Sequence, residues 1–176
     1  RATSFSLRDV NSNVEDWPVN PRDAATTLMD KYGQPDEMTG SMIVWYDNGP
    51  WKKTVLVKEE IPHDWPKPHT DFILQTINYK VNPDKFDDLA RFDGSVIVER
   101  TKGTLSARCG KEEMNFLALN LAHDIITGKR SVEEARDYYE KTAAKFMQGQ
   151  TDPYVEGLQF AVSTEDTRDS DKPVKM

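Results

Sequence analysis

An α+β fold, with one antiparallel sheet of about five strands packed on one face by helices, is what the sequence predicts. Three observations carry it. Apolar residues recur at spacings of three and four near the start and again in the last third of the chain. Runs of β-branched and aromatic residues, punctuated by Gly, Pro, Asn and Asp, fill the middle. The resulting order (helix, hairpin, strand, helix, hairpin, helix, helix) suits a sheet covered by helices rather than alternating βα units.

Taken in order, residues 1–19 mix Ser, Asn and Asp with isolated apolar side chains and read as an extended N-terminal arm, with Trp17 able to pin its end to the body. Asn20 and Pro21 supply a cap and a first helical residue, and Ala24, Ala25, Leu28, Met29 and Tyr32 line one face up to Gly33. Ser41 to Tyr46 and Trp51 to Glu59 form a hairpin about Asn48-Gly49. The proline-rich stretch from Ile61 to Pro68 is expected outside any central strand, and Asp71 to Val81 is a third strand. A short helix follows Asn82-Pro83. Ser95 to Arg100 and Thr104 to Cys109 then form a hairpin about Lys102-Gly103. Lys111 to Ile126 is apolar around most of its circumference, so it is expected at the centre. Ser131 with Glu134 forms a capping box for the last helix. The division is arm 1–19, a single α+β domain 20–147, and a mostly irregular tail 148–176, with the last dozen residues disordered.

The chain has 176 residues, 23 basic against 30 acidic, for a net charge of −7. That length buries roughly 70% of the unfolded surface without disulfides. The acidic balance argues against nucleic-acid binding, and the absence of a long apolar run argues against membrane insertion. One cysteine excludes a disulfide framework. The first residue is Arg1, which favours a removed leader and a periplasmic or secreted location, with the cytoplasm as the alternative.

Several stretches carry a resemblance: Tyr32-Gly33-Gln34-Pro35-Asp36-Glu37, Asn48-Gly49-Pro50-Trp51-Lys52, Pro62-His63-Asp64-Trp65-Pro66, and Gly94 to Gly103 with Ala107-Arg108-Cys109. Together they resemble a family of uncharacterised bacterial proteins, over about Asn20 to Phe160. The resemblance implies no activity and no catalytic residue. The run from Ala24 to Trp45 also looks like the opening of small outer-membrane assembly lipoproteins, without their lipid-bearing cysteine.

The segment from His63 to Asp71 is the richest in chemistry. Two of the three histidines flank a proline-stiffened loop with carboxylates nearby, and imidazole with carboxylate suits zinc, copper, nickel or iron. The competing reading is an exposed loop whose histidines cap neighbouring carbonyls. Cys109, expected at a strand end before a helix, would have a lowered thiol pKa there if it were reactive. A helix rise puts His123 about 15–20 Å away, too far to serve as its base. The expectation is a cysteine used as a small apolar filler. Trp45, Trp51 and Trp65 are dense around one hairpin and the loop, where they could line a ligand surface or simply form core.

The leading functional expectation is a non-enzymatic exported domain that binds a protein or small ligand through Trp45, Trp51, Trp65, His63 and His69. One alternative is a metal-binding protein or metal-dependent enzyme using His63, His69 and Asp71 with a transition metal as its cofactor. Another is an accessory subunit of a larger assembly.

Overall fold

The computed structural model describes residues 5–176. Among them, six strands form one antiparallel sheet in the order β1-β2-β3-β4-β6-β5. The strands are β1 (Glu37–Met38), β2 (Met42–Asn48), β3 (Trp51–His63), β4 (His69–Asn78), β5 (Val96–Glu99) and β6 (Thr104–Cys109). The helices are α1 (Leu7–Asn13), α2 (Val19–Tyr32), α3 (Phe86–Phe92), α4 (Glu112–Ile126), α5 (Val132–Met147) and α6 (Pro153–Glu156). The predicted class holds. The strand added to the expected five is the two-residue β1, too short to leave a period.

Residues opposite one another on paired strands share a face of the sheet. One such row reads Trp45, Thr54, Gln75, Ala107, Val96, and the next reads Ile43, Leu56, Ile73, Cys109. Every member of both rows is buried. Helix α2 packs Ala25, Leu28 and Met29 against the β2–β3 end of these rows. Helix α4 covers the β4–β6 end, where Asn115 Nδ2 donates to Ile73 O at 3.1 Å and to Gln75 Oε1 at 2.9 Å. As its apolar circumference predicts, α4 is nearly all interior, with Leu117, Leu119 and Leu121 wholly inaccessible.

The arm departs from expectation. Residues 1–4 lie outside the described residues, but Ser6 and Asp9 form a capping box and start α1. Val10 inside α1, its C-cap Val14 and Trp17 in the bend that follows are all buried. The helix was hidden because only these few apolar residues stand among Ser, Asn and Asp. Trp17 does pin the segment, its Nε1–H donating to Gly40 O at 3.0 Å. Helix α2 begins at Val19 behind Pro18, with no side-chain cap. Asn20 instead donates to Glu60 Oε1 at 2.9 Å.

The tail is irregular apart from α6, yet it is tied down between Thr167 and Asp171. Thr167 Oγ–H donates to Gly103 O at 2.7 Å, and the Asp169 N–H donates to Thr101 O at 3.3 Å. Gly103 turns the β5–β6 hairpin at φ +67°, and a Cβ there would stand 2.2 Å from Thr167 O. The turn and the strap therefore both require this glycine.

Glu112, at the start of α4, ties four elements together. Its carboxylate accepts from Tyr32 Oη (2.6 Å), Trp51 Nε1 (2.9 Å), Gln75 Nε2 (2.6 Å) and Lys31 Nζ. Burial works to raise its pKa. The hydrogen bonds from Lys31, Tyr32, Gln75 and Trp51 outweigh it and hold the carboxyl below its ordinary value.

Two predictions follow from this packing. Trp17→Ala should cost about 3–5 kcal/mol in equilibrium unfolding, as expected for loss of a buried indole, and a chain starting at Asn20 should melt well below the full one. Because the folded pKa of Glu112 is depressed, its contribution is present above the unfolded value and lost as pH falls through the folded one. Glu112→Gln should therefore destabilise by about 1.5–3 kcal/mol at neutral pH, with the difference shrinking in acid, when urea unfolding is compared across pH.

Candidate metal centre

The site is built at the end of the β3–β4 hairpin. Opposite Ile73 stands Leu56, but opposite Asp71 stands Ile61, so β3 spends five residues where β4 spends two. The pairing of β3 with β2 ends within this irregular stretch, at Met42 and Val57, where β2 begins. Beyond it, Ile61 to His63 pair with β4 alone. Pro62, expected outside any central strand, lies in the part of β3 that pairs with β4 alone, an edge position where proline is tolerated. The shift also sets His63 directly opposite His69. Period-two alternation then puts Asp71 on the same face as His69. The three side chains converge, with a donor atom of each within 4.8 Å of the others.

Their polar contacts are unequal. Asp71 is fully buried. Its Oδ2 accepts from His63 Nδ1 at 3.1 Å and from Ser95 Oγ. Its Oδ1 has no hydrogen-bond partner. The His69 Nε2 stands 3.0 Å from that Oδ1, without the alignment of a hydrogen bond. The other nitrogen of His69, Nδ1, lies 2.8 Å from Lys67 O. A carbonyl only accepts, so Nδ1 carries the proton and in the neutral ring Nε2 presents its lone pair, an assignment made from partners. That lone pair accepts from the Cys109 thiol, whose Sγ is 3.6 Å away.

Asp93 and Ser95, just after α3, form the wall behind His63. Asp93 Oδ1 is 3.8 Å from His63 Nε2 and accepts from the Ser95 N–H at 2.8 Å. Burial chiefly raises the Asp93 pKa, with the Ser95 N–H and the His63 charge acting to lower it and Asp71 to raise it. Cys109 lies on the inner side, its Sγ 3.6 Å from His69 Nε2. Burial, then the Asp71 charge, pushes this thiol up to about 12. The helix-terminus lowering weighed from sequence is therefore overridden by desolvation. His123 is elsewhere, as the helical rise required, with Nδ1 2.8 Å from Tyr79 Oη and its ring stacked 4.2 Å from Phe160.

The aromatic residues divide. Trp45 and Trp51 are each 1% exposed, so neither lines an outer surface. Trp45 donates to Gly33 O at 2.9 Å, and Trp51 stacks on Phe116 at 4.9 Å. Composition could not separate these from Trp65, since aromatics serve core and rim alike. Trp65 is partly buried, lying 4.0 Å from the Arg136 guanidinium and 4.7 Å from the Tyr139 ring, with Nε1 donating to Glu140 at 2.9 Å. It fastens the loop to α5. Asp93, Ser95 and Cys109 were not chosen as site residues from sequence, because each lies 24 or more positions from its partner in the triad.

Burial predicts that Cys109 in metal-free folded protein reacts with a thiol reagent at neutral pH far more slowly than in urea. Rapid labelling of the folded chain would contradict that placement. Compared with known proteins, this chain matches no family model, no curated protein and no solved structure.

Proposed function

We propose that the protein binds a divalent transition-metal ion through His63, His69 and Asp71. The observation that carries this reading is Oδ1 of Asp71, a fully buried carboxylate oxygen with no hydrogen bond, 3.0 Å from Nε2 of His69. Leaving such an oxygen without a hydrogen bond or a cation costs about 1–3 kcal/mol or more. A cation held between Oδ1 and Nε2 removes that cost. Two ligands can share that span at metal–ligand lengths of about 2.0–2.2 Å.

The surroundings favour the same ion. Two buried carboxylates, Asp71 and Asp93, concentrate negative charge beside the histidines. The Lys67 carbonyl orients His69 through its remote nitrogen, the usual support of a metal-bound imidazole. Imidazole and carboxylate donors suit zinc, iron, copper or nickel. The histidine side chains are 19% and 28% exposed, so an ion can enter from solvent.

Calorimetric titration of chelator-treated protein with zinc should give one site per chain and a raised melting temperature. His69→Ala should abolish both while leaving the apo melting temperature close to that of the parent. The reading fails if zinc, copper, nickel and ferrous iron all leave the melting temperature unmoved, or if His69→Ala binds as the parent does.

A further inference from the structure

We propose, resting on that metal reading, that Cys109 supplies a fourth donor, so that two nitrogens, one oxygen and one sulfur close around a zinc-like ion. Cys109 is the last residue of β6 and sits opposite Ile73, on the face that carries Asp71 and His69 along β4. Its Sγ is 3.6 Å from His69 Nε2. Bonds of about 2.1 Å to nitrogen and 2.3 Å to sulfur, set at the tetrahedral angle, separate the two donors by about 3.6 Å. The sulfur therefore already stands at a coordination edge from the nitrogen its S–H hydrogen-bonds, while His63, His69 and Asp71 are the set whose donor atoms all lie within 4.8 Å of one another, so the sulfur closes on the ion only as the ion binds.

The backbone is shaped to press it there. Gly110 follows Cys109, and a Cβ on it would meet Thr70 O at 2.9 Å and Phe72 Cζ at 3.3 Å. Only a residue without a side chain lets the end of β6 approach the His69–Asp71 segment so closely. Behind the thiol, buried Tyr139 closes the site from α5. The chain holds a single cysteine, so no internal disulfide competes for the sulfur.

This donor set has a consequence for selectivity. Magnesium, calcium and manganese prefer oxygen ligands, whereas zinc, cobalt and copper accept thiolate. Four protein donors also leave no coordination position for a substrate, which is the arrangement of a holding site and not a catalytic one. As the sulfur–metal bond forms, the thiol proton passes to solvent, so the atoms balance without an oxidant or reductant.

Cobalt(II) titrated into the chelator-treated full chain reports each donor class separately. The expected spectrum has visible d–d bands of a low-symmetry site together with an intense near-ultraviolet thiolate-to-cobalt band. Both should saturate at one equivalent and be displaced by zinc but not by magnesium. Cys109→Ser should keep d–d bands, lose the ultraviolet band, and weaken zinc binding by more than about tenfold, the scale at which even supporting residues act. The parent spectrum needs no variant to fold. Visible bands in the parent without the ultraviolet band would overturn the sulfur ligand and leave the three-residue site standing. Wild-type zinc affinity in folded Cys109→Ser would do the same. No cobalt spectrum at all would sink both.

Discussion

The pairing of β4 with β3 on one side and β6 on the other decides which side chains the helices cover. His69, Asp71, Ile73, Gln75 and Ile77 alternate onto one face of β4. The inner members of that series belong to the core, and the outer two belong to the candidate metal centre. A slip of one residue in either pairing would exchange that face for Thr70, Phe72, Leu74 and Thr76. Core and site are thus specified by the same hydrogen-bond ladder, and neither can be rearranged without the other.

Glu112 secures that ladder from the helix side. Its hydrogen bonds reach α2, β3 and β4 at once, and the residue lies three positions after Cys109. The segment that ends β6 and starts α4 is therefore fixed at both ends, by Glu112 in the core and by Gly110 against Thr70. A buried carboxylate satisfied by donors from several elements specifies geometry more than it adds net stability, because its desolvation offsets much of what those bonds contribute. Its effect on the candidate centre is indirect, holding Cys109 against His69.

Much of the fold was legible where local chemistry and tertiary packing agree. The capping box at Ser131 and Glu134, the glycine stop at Gly33 and the limits of β6 all appear as the sequence predicts. Helix α1 was not legible, because its one buried residue is Val10 and the anchors Val14 and Trp17 follow after it ends. The histidine loop stood out by composition, but the partners of His63 and His69 did not. Ser95 and Cys109 arrive through strand order, and no local period encodes which strands become neighbours. Trp45 and Trp51 illustrate the complementary failure, since residue type alone does not say which side of a sheet is covered.

The bulge in β3 gives the hairpin an arithmetic character. Just before it, the even-numbered Thr54 and Leu56 share the face of Gln75 and Ile73, and after it the odd-numbered Ile61 and His63 share the face of Asp71 and His69. The inversion comes from an odd number of extra residues, whose side chains play little part. Losing or gaining one residue between Val57 and Glu60 would leave Leu56 in the core and turn His63 to the opposite face. Among chains of similar sequence, the length of this segment would then separate those able to assemble the centre from those that merely retain its histidines.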